Sequence, residues 1–119
     1  MEKIVYQSLL YDFYGELLNV HQKNIYEDFV LNNIGISEIA QEQGISRQGV
    51  FDMIKRCDKI LEGYEDKLHL LEKFTAIKYD VTVIKDSLKN IEGKQNFSSK
   101  DKAIIENVMA GLESIVDKL

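Results

Sequence analysis

The chain is 119 residues long, 45% hydrophobic and 29% charged, a balance that suits one folded domain and argues against disorder. It carries 15 Lys+Arg against 20 Asp+Glu, a net charge of −5, which excludes the broad cationic surface of an indiscriminate nucleic-acid binder. With no Pro, no Trp and only 7 Gly, the strongest breaks in backbone regularity are missing or scarce, so long helices are expected. Residues 4–18 place Tyr6, Leu9, Leu10, Phe13, Leu17 and Leu18 at helical steps, which predicts an amphipathic first helix. Asn19 is the expected N-cap of a second helix, whose apolar face is Ile25, Tyr26, Phe29 and Val30. The stretch "NNIG" at 32–35 closes it. Ser37 is then expected to cap a short helix from Glu38 to about Gln43, Gly44 to take a turn, and Ser46 to cap the next helix.

From Arg47 the apolar pattern hardly stops. Leu61, Tyr64, Leu68, Leu71, Phe74, Ile77, Val81, Ile84, Leu88 and Ile91 follow at steps of three or four, so a long helix is expected, bent or overwound where the steps shorten. Gly63 bends such a run without ending it. "EGKQNFSS" at 92–99 is the expected loop, and Ser98 or Ser99 caps a last helix carrying Ile105, Val108, Leu112, Ile115 and Leu119. No strand pattern competes. The fold class is all-α: a helix-turn-helix domain over residues 1–62, then a long helix and a C-terminal helical hairpin over residues 63–119.

Residues 37–57, "SEIAQEQGISRQGVFDMIKRC", carry the functional signal. A helix-turn-helix needs a small residue where its helices cross, Gly at the turn, and apolar pins between the helices. Ala40 and Gly44 fill the first two roles, and Ile39, Ile45, Val50, Met53 and Ile54 are the expected motif core. Helical geometry then turns Arg47, Gln48, Phe51, Asp52, Lys55 and Arg56 outward. Arg47 and Gln48 sit at the N-terminal end that reaches base edges, Arg suiting guanine and Gln adenine. Lys55 and Arg56 suit phosphates, Asp52 repels phosphate or accepts from a cytosine amine, and Ser46 can cap the helix and donate to a phosphate. The same corner also occurs in all-α proteins that touch no nucleic acid. The segment is locally neutral, because Arg47, Lys55 and Arg56 balance Glu38, Glu42 and Asp52.

The strings "LLYDFYGELL", "HQKNIYEDF", "SEIAQEQGISRQGVFDMIKR" and "LEGYEDKL" resemble the YlxM family of small bacterial proteins, over roughly residues 6–75. The family's helix-turn-helix is similar to the fourth region of sigma factors. The resemblance implies a regulatory role linked to the signal recognition particle, with that particle's GTPase or RNA as partner. Residue by residue it singles out Ser46, Arg47, Gln48, Lys55 and Arg56. Met53 stands where relatives often have Asn, and Phe51 where Tyr or His is common, which makes this exposed face less polar than theirs.

Other chemistry is not indicated. His21 and His69 lie far apart without ligand spacing, so no metal or other cofactor is expected, and the acidic residues read as scattered on solvated faces. No nucleotide-binding or hydrolase motif occurs, so the protein reads as a non-enzyme. Cys57 is the lone cysteine and reads as a core thiol, which excludes an intrachain disulfide and suits a reducing cytoplasm. "MEKIVYQSLL" lacks a signal peptide's apolar run, and no stretch reaches the roughly 18 apolar residues of a membrane span. Two functions follow: a regulatory binder of DNA or RNA, or an adaptor in which the helix-turn-helix is a scaffold and an acidic surface (Glu62, Glu65, Asp66) docks on a basic partner. The C-terminal helices either pack back on the first part, form a homodimer interface or dock another protein, and two half-sites favour the dimer.

Overall fold

A computed structural model describes residues 2–94 and 97–119 of the chain. Among them are six α-helices and no strand: α1 (Lys3–Tyr14), α2 (Val20–Val30), α3 (Ile36–Gln43), α4 (Arg47–Leu68), α5 (Leu70–Lys94) and α6 (Ser99–Asp117). The all-α expectation holds. Contacts divide the chain into two compact units, Met1–Leu71 and Glu72–Leu119. The expected division after Glu62 would cut through α4, which runs on to Leu68.

Local chemistry sets most boundaries of the first unit. Asn19 caps α2 through a reciprocal box: its side chain accepts from the Gln22 N–H at 2.8 Å, and the Gln22 side chain accepts from the Asn19 N–H at 3.0 Å. The first helix, however, stops at Tyr14 and tightens into a 3-10 turn over Gly15–Leu17, which leaves Leu17 56% exposed instead of in the apolar face. Gly15 is required there, since a Cβ would stand 2.8 Å from the Tyr11 ring. A second correction concerns α3. It starts at Ile36 with Gly35 as N-cap, so Ser37 lies inside the helix instead of capping it.

The core of this unit is two connected clusters. Leu10, Tyr14, Leu18, Tyr26, Val30, Cys57, Leu61 and Leu71 form one, with Tyr6, Phe13 and Tyr64 packed against it. Ile25, Ile39, Ala40, Val50 and Ile54 form the other, and Met53 and Phe29 touch both. The N-terminal tyrosines and phenylalanines are therefore core-forming, as their spacing suggests. Tyr14 stacks on Tyr64 at 6.0 Å and Tyr11 on Tyr26 at 5.9 Å between ring centroids.

Two carboxylates on α4 complete the packing. Asp58 accepts from the Tyr26 hydroxyl at 2.5 Å and from the Gln7 amide at 2.9 Å, which ties α1 and α2 to α4. Glu65 is buried and accepts from the Tyr14 hydroxyl at 2.5 Å and from the Leu71 N–H at 2.9 Å. The Tyr14 oxygen in turn accepts from the Leu70 N–H at 3.1 Å. The long helix expected from Arg47 therefore ends at Leu68: His69 takes a left-handed conformation (φ 56°), and Tyr14 and Glu65 satisfy the first amides of α5. Gly63 lies inside α4 and ends nothing.

In the second unit α5 extends to Lys94, past the expected loop start at Glu92. The middle of that loop, Gln95 and Asn96, lies outside the described residues. Ser98 caps α6 by accepting from the Asp101 N–H at 3.1 Å, and the helix closes at Asp117, before Leu119.

Tyr14→Phe should destabilise the protein by about 1–3 kcal/mol in a denaturant titration, because it removes one donor from the buried Glu65 carboxylate and the acceptor of the Leu70 amide. Little or no change would remove this contact from the fold's supports. Burial and the neighbouring carboxylates raise the Tyr14 and Tyr26 hydroxyls above the ordinary tyrosine value of 10.0. The neutral phenols are thus favoured in the folded state. The stability they lend should be intact below pH 10 and fall as pH climbs beyond it, which denaturation at stepped alkaline pH would read.

Candidate nucleic-acid interface

The turn between α3 and α4 is built from backbone requirements. Gly44 sits at φ 68°, ψ 30°, a conformation that favours glycine, and the N–H groups of Gly44 and Ile45 both close on the Ala40 carbonyl. Ser46 then accepts from the Gly49 N–H at 2.9 Å and starts α4, as expected. Four pins lock the corner: Ile39 and Val50 are fully buried, and Ala40 and Ile54 are each 5% exposed. Met53 is half-buried between the two clusters. Ile45 departs from expectation, since it is 37% exposed at the corner.

With that inner row fixed, the outer face of α4 follows. Ser46, Arg47, Gln48, Phe51, Asp52, Lys55 and Arg56 are all exposed. The six that lie on the helix fall into two neighbouring rows at four-residue steps, Arg47–Phe51–Lys55 and Gln48–Asp52–Arg56. Within these rows the side chains are partly engaged with each other. The Gln48 amide donates to Asp52 at 2.9 Å, so a base edge would have to compete for it. The Lys55 ammonium lies 5.3 Å from the centre of the Phe51 ring, a cation–π contact that holds the charge over the aromatic face. Among the described residues the side chains of Arg47 and Arg56 make no hydrogen bond or ion pair.

Two features of this surface escape sequence reasoning. An apolar groove of about 270 Å³ opens beside α4, lined by Ile4, Phe29, Ile36, Phe51 and Ile54, with Lys3 and Lys55 among its walls. A shallower hollow of about 430 Å³ adjoins it between Ile36, Arg47, Gln48 and Phe51. Lys3 and Ile36 thus share walls with predicted site residues, and no local pattern links position 3 to position 55. The acidic surface is also smaller than the sequence suggests. Glu65, read as a solvated docking residue, is buried against Tyr14, whereas Glu62 and Asp66 are exposed.

Comparison with known proteins agrees with this geometry. The family model described as "Putative helix-turn-helix protein, YlxM / p13 like" (UPF0122) matches residues 1–105. The chain belongs to this family. A UPF0122 protein of Acetivibrio thermocellus is 38% identical over 117 residues, covering 98% of this chain and 99% of the relative. One from Clostridium kluyveri is 37% identical over 102 residues, 86% of this chain and 92% of the relative. One from Bacillus velezensis is 35% identical over 104 residues, 87% of this chain and 94% of the relative. The YlxM-like resemblance read from the motifs is thereby borne out, and it extends well beyond residue 75. The description of UPF0122 names a helix-turn-helix protein. Among the described residues no helix is long and apolar enough to cross a membrane.

Cys57 lies in the core beneath the outer face of α4 and is fully buried. Burial, with Asp58 beside it, pushes the thiol up to about 11. It should stay protonated at neutral pH and resist alkylation in the native protein, yet react fully in denaturant, as iodoacetamide labelling followed by mass measurement would record. Rapid labelling of the folded chain would mean that the core opens beneath α4.

Proposed function

We propose that the protein is a regulatory nucleic-acid binder that lays α4 into a groove. The observation that carries this reading is the outer face of α4: a helix-turn-helix whose inner row is fully pinned presents Arg47, Gln48, Phe51, Lys55 and Arg56 together on exposed rows. Arg47 and Gln48 stand at the N-terminal end, where base edges are reached, and Lys55 and Arg56 further along hold phosphates. Phe51 supplies an apolar contact such as a thymine methyl accepts. The acidic balance of the chain keeps non-specific binding weak, so recognition rests on this one face. By family resemblance the setting is the cytoplasmic signal recognition particle pathway.

A second reading has one observation in its favour. Phe51 is 43% exposed at the edge of an apolar groove, an arrangement that also suits a protein partner, and the helix-turn-helix would then serve as scaffold for an adaptor of signal recognition particle components. Fluorescence anisotropy against random duplex DNA and against the signal recognition RNA, across a salt series, separates the two. Under the first reading one of them binds saturably and more weakly as salt rises. Arg47→Ala with Lys55→Ala should then weaken binding at least tenfold and lower the salt slope, with the melting temperature unchanged because both side chains are exposed. A folded protein that binds neither at low salt would overturn the first reading and favour the adaptor.

A further inference from the structure

The second unit leaves one apolar side open. Its helices α5 and α6 lie against each other in opposite directions: Lys85 pairs with Glu113, and Leu88 and Ile91 share a groove with Phe97, Ile104 and Ile105 near the turn. On α6 the half-buried residues Ile105, Met109, Leu112 and Val116 form a single row at steps of four, three and four, which marks the side facing α5. On α5 the matching row runs through buried Val81 and half-buried Lys85, Leu88 and Glu92. Beside these rows, displaced toward the same side of the pair, stand Ile77, Ile84 and Ile91 of α5 and Ile104, Val108 and Ile115 of α6. Each is between 36% and 54% exposed.

We propose that this face is an interface between two copies of the chain, joining two hairpins into a four-helix bundle. Three observations select a second copy as its occupant. The first is area. Six such side chains present on the order of 500 Å² of apolar surface per copy, at the upper end of what a monomer leaves open. Two copies bury about 1,000 Å², where specific interfaces begin.

The second is charge. Residues 72–119 hold as many lysines as carboxylates, so the whole excess of acid lies in residues 1–71. A neutral unit draws neither a basic nor an acidic partner, and it does not repel its own copy. The third is period. Ile77, Ile84 and Ile91 recur every seven residues, and Val108 and Ile115 do the same, so the surface that fits is another helix pair with that repeat. A two-fold axis supplies such a pair, each face meeting its own image.

Light scattering on the full chain as it leaves a sizing column tests this without nucleic acid, so the answer does not depend on the groove-reading function. The expected mass is twice the 13.7 kDa of one chain. Ile84→Glu with Val108→Glu should reduce it to a single chain while helical circular dichroism is kept. Should that variant lose its helicity, Ile84→Gln and Ile115→Gln, tested separately, should each weaken dimerisation at least tenfold in a dilution series. A single-chain mass for the unaltered protein overturns the proposal. So does a dimer that the folded variants leave intact, since the interface would then lie elsewhere.

Discussion

The direction in which α4 faces depends on two tyrosine–carboxylate contacts along its inner side. Tyr26 donates to Asp58, and Tyr14 donates to Glu65 at the far end of the helix. Apolar packing alone tolerates small rotations of a helix, because contact energy is spread over many weak pairs. A short hydrogen bond to a carboxylate away from bulk water does not, since any slip leaves charge uncompensated. These two contacts, together with the rows through Val50, Ile54, Cys57 and Leu61, fix which residues are left outside. The exposed face of the helix is in this sense defined from its buried one.

The same contacts soften the contrast between an acidic chain and a groove-reading motif. Net charge counts Asp58 and Glu65 as equals of surface acids, but both accept from donors of α1 or α2, Glu65 in the core and Asp58 at the wall of the groove that Lys3 and Lys55 also line. Within the two outer rows of α4 the one carboxylate is Asp52, which holds the Gln48 amide. Lys3 approaches from α1 on the same side as Lys55. The local field beside α4 is therefore less negative than the composition indicates.

Much of this was legible in the sequence where local chemistry decides. The Asn19, Ser46 and Ser98 caps, the left-handed Gly44 and the inner row of α4 follow from residue type and spacing alone. What was not legible depended on distant residues. The end of α4 at His69 is decided by Tyr14, whose hydroxyl meets the Leu70 amide across a separation of 56 positions. The periodicity of the segment gives no hint of it. Glu65 looks solvated beside Glu62 and Asp66 until α1 is laid against it. The spacing puts Leu17 in an apolar face, but Gly15 must clear the Tyr11 ring and the helix tightens there. Of the outer face of α4, which residues are exposed was readable, but the Lys55–Phe51 contact and the groove shared with Lys3 were not.

The tyrosine contacts also give the protein an optical signature. The chain has no tryptophan, so its near-ultraviolet emission comes mainly from 6 tyrosines. A phenol that donates to a carboxylate emits weakly, because the excited hydroxyl readily passes its proton to the acceptor. Tyr14 and Tyr26 are therefore dim reporters placed at the C-terminal end and the middle of the inner side of α4. Their brightening would signal the loosening of that helix from its support, in the unlabelled protein and without any added dye.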